Sequence, residues 1–212
     1  MPRPTFIPKN IEIDNSDIVT IAKNLATKAH AEINQKRKWI IPEVDYIVHP
    51  GEVAADLKDL GASKELQAAA WLHDAVEDTN LTLEEIEVVC GSKIAVLVDE
   101  VTDKSIKEDG GRTERKIIDK IHASTASRDG QLLKMIDMKN NAPSITMFAP
   151  EFALIWLKEK MDMILVLNKL TKEEKDGSMK MLLENKTRAE SHGLNEWLKK
   201  TNKFSEARYR NE

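Results

Sequence analysis

Ala68-Ala69-Ala70-Trp71-Leu72-His73-Asp74-Ala75-Val76-Glu77-Asp78-Thr79 joins an intensely apolar run to four polar groups of ligand or acid/base type. Residues 68 to 72 are apolar nearly all round, which for a helix implies a central place in the core. An imidazole and a carboxylate at the end of such a helix would be expensive to bury unpaired. A divalent cation that takes their lone pairs and compensates their charge makes the placement sensible. Adjacent helix residues point about 100° apart, so a His-Asp pair alone makes a weak site. His49, at the start of the preceding helix, and Asp137, just before two asparagines and a proline, lie near element ends where a site can converge.

Outward from this stretch the pattern is helical throughout. Ile18, Ile21, Leu25 and Ala29 recur at helical spacing, predicting a first helix from Ser16 to about Gln35 with N-cap chemistry from Asn15-Ser16. Lys36 to Val48 has no sustained period and reads as a structured loop. A helix from Pro50 to about Leu60 turns Val53, Ala54 and Leu57 inward and closes at Gly61. Ser63 caps the central helix, Lys64 to about Val76. Thr82 to Val89 and Lys93 to Val101 predict two helices, the first with a Thr82/Glu85 capping box. After the Asp109-Gly110-Gly111 connector come Thr113 to Ala123 and Gly130 to about Asn141, with Pro143 and Pro150 expected to interrupt the chain. Glu151 to Leu170, with Phe152, Ile155, Trp156, Met163, Ile164 and Val166, carries the strongest amphipathic pattern and is expected to clamp the bundle from outside. Two shorter helices are expected beyond Asp176-Gly177. No convincing β-alternation or internal repeat is seen, so the fold class is all-α.

The 212 residues fit one large domain with an appendage: an N-terminal extension (1–15), a catalytic bundle (16–170) and a C-terminal helical extension (171–212). A formal charge of −4 argues against a phosphate-backbone footprint, so nucleic acid is not the expected partner. No segment reaches the roughly 20 apolar residues needed to span a bilayer, and nothing resembles a signal peptide. Cys90, the sole cysteine, suits a reducing compartment and an inert core position. A cytoplasmic protein is the expectation.

The motifs then show an extended, ordered likeness. Ala29-His30 with Gln35-Lys36-Arg37, Tyr46-Ile47-Val48-His49-Pro50, the central Ala69 to Thr79 stretch, Cys90-Gly91 to Val101-Thr102, Glu114-Arg115-Lys116, and Lys134-Met135-Ile136-Asp137 with Asn141 resemble the hydrolase (HD) domain of RelA/SpoT homologues. Short, stand-alone members of the metazoan SpoT homologue type are the most similar, and the resemblance covers roughly residues 18 to 168. It implies an HD-domain helical bundle in which His49, His73, Asp74 and Asp137 bind a metal, usually Mn²⁺. The donor set, lacking thiolate, agrees, and leaves Zn²⁺ and Fe²⁺ open. The resemblance further implies that Glu77 and Asp78 position and deprotonate the attacking water. Arg37 and Lys38 would flank the nucleotide base, and Asn141 and Ser144 would lie near the ribose and 3′ phosphate. The implied reaction removes pyrophosphate from the 3′ position of a guanosine or adenosine alarmone, without a synthetase half. Other readings are an HD phosphohydrolase of another nucleotide, such as a nucleoside monophosphate or the NADPH 2′-phosphate, and a catalytically silent alarmone-binding module.

This chain departs from the family pattern in a longer segment between His30 and Gln35, in Trp39-Ile40-Ile41, and in Met138 and Pro143 at usually basic positions. His30 reads equally as a packed core residue and as a group supporting the site. Arg112, Arg115 and Lys116 read as a solvent face or as phosphate-facing cations, and the methionines as adaptable core filling.

Overall fold

The computed structural model describes residues 17–38 and 43–209, with side chains described through residue 193. Its described residues contain helices and no strand, only an isolated bridge between Lys36 and Asp45. Helix α3 (Lys64–Leu72) is the centre, capped by Ser63 Oγ accepting from Leu66 N–H, with Leu66, Ala68, Ala69, Ala70 and Leu72 all buried. Its alanines let neighbouring backbones come close. Helices α1 (Ile18–Glu32), α2 (Val48–Asp59), α6 (Ser92–Val101) and α8 (Arg128–Phe148) all pack on it.

The central helix is shorter than its apolar run suggests. It breaks at His73-Asp74 and resumes as the single turn α4 (Ala75–Asp78). The His73 imidazole Nδ1 engages the Ala70 carbonyl at 2.7 Å, the acceptor that the next turn of an unbroken helix would use. The break lies within the polar segment of the opening stretch and sets the direction of both side chains.

Helix α5 (Leu83–Cys90) starts with the expected capping box and hands over to α6 at Gly91, whose φ of +92° favours glycine. Cys90 is the last residue of α5 and buried; burial pushes its thiol up to about 11, consistent with an inert group. Helix α7 (Arg112–Thr125) leads to α8, which runs 21 residues straight through Pro143. The expectation of an interruption there is corrected. A proline in a helix interior loses one hydrogen bond and costs about 3 kcal/mol, but packing of the buried Ala142 and Thr146 on either side holds the helix together. Pro150 instead opens α9 (Pro150–Val166), where its missing N–H has no helical partner to lose.

Helix α9 differs from its reading as an outer amphipathic clamp. Ala153, Leu157, Met163 and Ile164 are buried, whereas Phe152, Ile155 and Leu165 are 39, 56 and 68% exposed. Apolar residues occupy both faces. A single helix α10 (Lys172–Tyr209) replaces the two expected beyond Gly177 and packs against α8 and α9. The first helix begins later than expected, at Ile18, with Asp17 before it; Asn15 and Ser16 lie outside the described residues. No helix among the described residues is long and apolar enough to cross a membrane.

Candidate metal centre

Three elements bring the four predicted ligands to one place: His49 from the first turn of α2, His73 and Asp74 from the α3–α4 break, and Asp137 from the middle of α8. His49 Nε2 lies 3.0 Å from Asp137 Oδ1 and 3.6 Å from Asp74 Oδ2. His73 Nε2 lies 3.0 Å from Asp74 Oδ2 and 3.5 Å from Asp137 Oδ1. Ligand atoms of His49, His73 and Asp74 all fall within 4.8 Å of one another, a donor set able to hold a divalent metal.

The outer hydrogen bonds show which lone pairs face inward. Arg37 Nη2 donates to Asn140 Oδ1 at 3.4 Å, and His49 Nδ1 lies 2.8 Å from the same oxygen, so Nδ1 carries the hydrogen. Asn141 Nδ2 donates to Asp137 Oδ1 at 2.7 Å and approaches His49 Nε2 at 3.2 Å. His49 Nε2 and Asp137 Oδ1 are thus two acceptors 3.0 Å apart, a repulsive pairing that a cation relieves. His73 repeats the pattern. Its Nδ1 is bound to the Ala70 carbonyl, while its buried Nε2 has no aligned hydrogen-bond partner despite its closeness to Asp74. Two converging imidazole nitrogens beside two carboxylates, that of His73 without a hydrogen-bond partner, are what a metal site requires, so the residues present fit a divalent ion. Burial opposes charge on His73, but Asp74 and Asp137 outweigh it and raise its pKa well above the usual histidine value. Tyr46 completes the support by donating its hydroxyl to Asp74 Oδ2.

A cavity of about 160 Å³ adjoins the quartet, lined by His73, Asp74, Asp137, Glu77, Lys134 and Lys160 among others. Glu77 is open to solvent yet crowded by protein, and this partial desolvation pushes its carboxyl up to about 7, against the pull of Lys134. Its Oε1 accepts from the Asp103 N–H at 2.7 Å. Asp78 is also raised by desolvation, and its Oδ2 accepts from Gln35 Nε2 at 2.8 Å. Gln35 Oε1 in turn lies 2.6 Å from His30 Nδ1, and His30 faces the Tyr46 ring at 4.9 Å. Of its two sequence readings, His30 thus takes both at once: a buried residue that braces two neighbours of the site.

Asp103 anchors the far wall by accepting from Lys134 Nζ at 3.0 Å and Lys116 Nζ at 2.7 Å. Burial opposes its ionisation, but the two lysines hold its carboxyl well below the ordinary aspartate value of 3.8. A depressed folded-state pKa stabilises the fold above the unfolded value and loses that contribution as pH falls through the folded one. Asp103→Asn is therefore expected to lower stability at pH 7 by about 3 kcal/mol, leaving two lysines without their shared anion. The difference from the parent should shrink below pH 3.8, and denaturant melts at pH 7 and 3 will check it.

The remaining predicted residues are placed differently. Arg37 is buried and bound to Asn140, while Lys38 is exposed and near enough to Asp78 to offset part of the rise in its pKa. Neither lines the cavity. Ser144 Oγ donates to the Asn141 carbonyl at 3.0 Å within its own helix and does not line the cavity either. Trp39, Ile40 and Ile41 lie outside the described residues. Arg112 pairs with Glu159 and Lys116 with Asp103 and Asp119, so these two cations face other protein groups rather than the cavity. Asn140 and Lys160 were missed by sequence reasoning. Asn140, three residues beyond Asp137 and so on the same helix face, had a usable signal; Lys160, in the charged run Lys158-Glu159-Lys160, had none.

Residues 22–131 match the model of the HD domain. The chain is 35% identical over 136 residues to the guanosine-3′,5′-bis(diphosphate) 3′-pyrophosphohydrolase MESH1 of Xenopus tropicalis, covering 63% of this chain and 73% of that protein. It is 36% identical over 144 residues to the guanosine-3′,5′-bis(diphosphate) 3′-pyrophosphohydrolase of Aquifex aeolicus, covering 66% of this chain but only 20% of that larger protein. The solved structure of a metazoan orthologue of SpoT, described as hydrolysing ppGpp, superposes with a TM-score of 0.56 at 23% identity, covering 84% of this chain and 94% of the other. The chain belongs to the HD-domain family, among the hydrolase domains of RelA/SpoT homologues of the metazoan type.

Proposed function

We propose that this protein is a metal-dependent hydrolase that removes pyrophosphate from the 3′ position of (p)ppGpp-type alarmones, leaving GDP or GTP. The observation that carries the reading is the meeting of two imidazole nitrogens and two carboxylates beside a small cavity that also presents Glu77 and two lysines. The activity named for the relatives supplies the substrate class. His49, His73, Asp74 and Asp137 would hold the cation, with Mn²⁺ our choice for an all-nitrogen-and-oxygen donor set and Zn²⁺ and Fe²⁺ the alternatives to screen. When bound, the cation supplies Lewis acidity to phosphoryl oxygens and compensates the two buried carboxylates.

The chain's own groups account for the rest. Glu77, with its carboxyl raised to about 7, is suited to taking a proton from the attacking water near neutral pH. Asp78, held by Gln35, orients that water from the other side. The water oxygen bonds to phosphorus as the bond from phosphorus to the ribose O3′ breaks, O3′ keeps the electron pair and is protonated, and pyrophosphate departs. Asn141 keeps Asp137 and His49 in register. Arg37 and Lys38 are assigned to the base side, and Ser144 to the ribose side, on the family resemblance. A buried free thiol at Cys90 accords with the reducing cytoplasm in which such nucleotides occur.

The test is a panel of nucleotides with metal-loaded protein: guanosine and adenosine 3′-diphosphates, nucleoside monophosphates and NADPH. Release of pyrophosphate from a 3′-diphosphate is the expected product. Release of inorganic phosphate from NADPH alone would overturn the assignment.

A further inference from the structure

The lysines around the cavity are not equivalent. Lys134 Nζ donates to the Val101 carbonyl at 2.6 Å and to Asp103 Oδ1 at 3.0 Å. Lys116, behind it, donates to Asp103 Oδ2 at 2.7 Å and Asp119 Oδ2 at 2.9 Å. Lys160, projecting from α9, lines the same cavity and makes no hydrogen bond or ion pair among the described residues. Its Nζ lies over the Trp156 ring, 5.2 Å from the centroid. An ammonium with this little compensation is costly to keep crowded by protein, and an apolar side chain of equal length would pack at lower cost. Burial, reinforced by the charge of Lys134 and opposed by the more distant pull of Asp137 and Asp103, lowers the Lys160 pKa. Lys160 is nevertheless only half-buried, and it is reachable from the cavity it lines.

The cavity's size restricts what meets it. About 160 Å³ is well below the roughly 300–1,000 Å³ of pockets that enclose drug-sized ligands, so only a phosphoryl end of a nucleotide enters. The lining brings together the quartet residues His73, Asp74 and Asp137, the paired Lys134 and, from α9, which supplies none of the four proposed ligands, Lys160. An anion with two linked phosphoryl groups matches that lining: one beside the quartet, the next against an ammonium that makes no ion pair among the described residues.

We propose that Lys160 binds the phosphoryl group beyond the one that reacts, making the cavity selective for a diphosphate over a monophosphate and holding the departing pyrophosphate. This rests on the hydrolase reading above. Lys160 is then a specificity-determining residue from α9, contributed separately from the metal ligands.

The experiment compares parent, Lys160→Met and Lys160→Arg as metal-loaded proteins, using calorimetric binding of inorganic pyrophosphate and of phosphate alongside steady-state kinetics on a guanosine 3′-diphosphate. Loss of one charge-assisted contact is expected to weaken pyrophosphate binding and raise KM in Lys160→Met by about ten- to a hundredfold. Phosphate binding and kcat should change far less, arginine should restore part of the affinity, and the thermal midpoint of Lys160→Met should match or exceed the parent's. Unchanged pyrophosphate affinity in Lys160→Met overturns the proposal, as does equal weakening of phosphate and pyrophosphate, or a parent that binds no pyrophosphate. If the parent cleaves no 3′-diphosphate but binds pyrophosphate in a Lys160-dependent way, the hydrolase reading fails and the subsite stands.

Discussion

His73→Ala is expected to lose metal and activity together. The imidazole is buried, and its Nε2 lies 3.0 and 3.5 Å from the two carboxylates of the quartet. Even an outer partner of a metal ligand is worth about ten- to a hundredfold in affinity, so loss of a direct donor should exceed that. Hydrolysis should fall to background, and the purified variant should carry well under one equivalent of metal. The metal-free variant is also expected to be less stable by about 3–5 kcal/mol, since removing one member of a buried charged cluster leaves the others uncompensated. Asp137→Asn, which keeps the side-chain shape, provides a second variant should His73→Ala fold poorly. Stoichiometric metal retained at parental affinity in both would remove these residues from the ligand set.

Glu77→Gln combined with Asp78→Asn is expected to separate chemistry from metal binding. Neither carboxylate touches the quartet in a hydrogen bond, and each has its own support, Asp103 N–H for Glu77 and Gln35 for Asp78. The double amide should bind metal as the parent does while turnover drops by about 10²–10⁴-fold, the usual contribution of a positioned general base. The pH profile gives the sign. A base must be ionised to act, so a carboxyl raised to about 7 predicts a parental rate that falls as pH drops, with the acid limb drawn to or below 7 by a nearby cation. Glu77→Gln alone should erase that limb. Parental turnover in the double variant would exclude both residues from the mechanism.

Much of this architecture was legible in the residue order. The apolar run of residues 68 to 72 located the central helix, the Thr82/Glu85 pair its neighbour's start, and the four residues that converge could be singled out, with the family resemblance, before any coordinates. Local rules failed where tertiary packing overrode them. Pro143 lies within α8 because residues on both sides are anchored in the core, and Gly177 lies within α10 because Leu182 and Ala189 further along are buried. Phe152 and Ile155 show the converse: an apolar stripe says that a helix has a face to bury, while the neighbours available decide how much is covered. The supporting residues Tyr46 and Asn140 act across separations of tens of residues in the chain, and periodicity carries no information about such pairings.

The interruption between α3 and α4 makes the nine residues of α3 a ruler. Adding or deleting one residue between Ser63 and His73 would turn the dipeptide about 100° around the axis and slide it about 1.5 Å along it. The alanine-rich segment would still find an apolar environment in several rotations, so such a variant would keep its helical bundle and lose its metal. Single-residue length changes in α3 are therefore a way to obtain a folded, site-free form of the protein without touching any of the four proposed ligands.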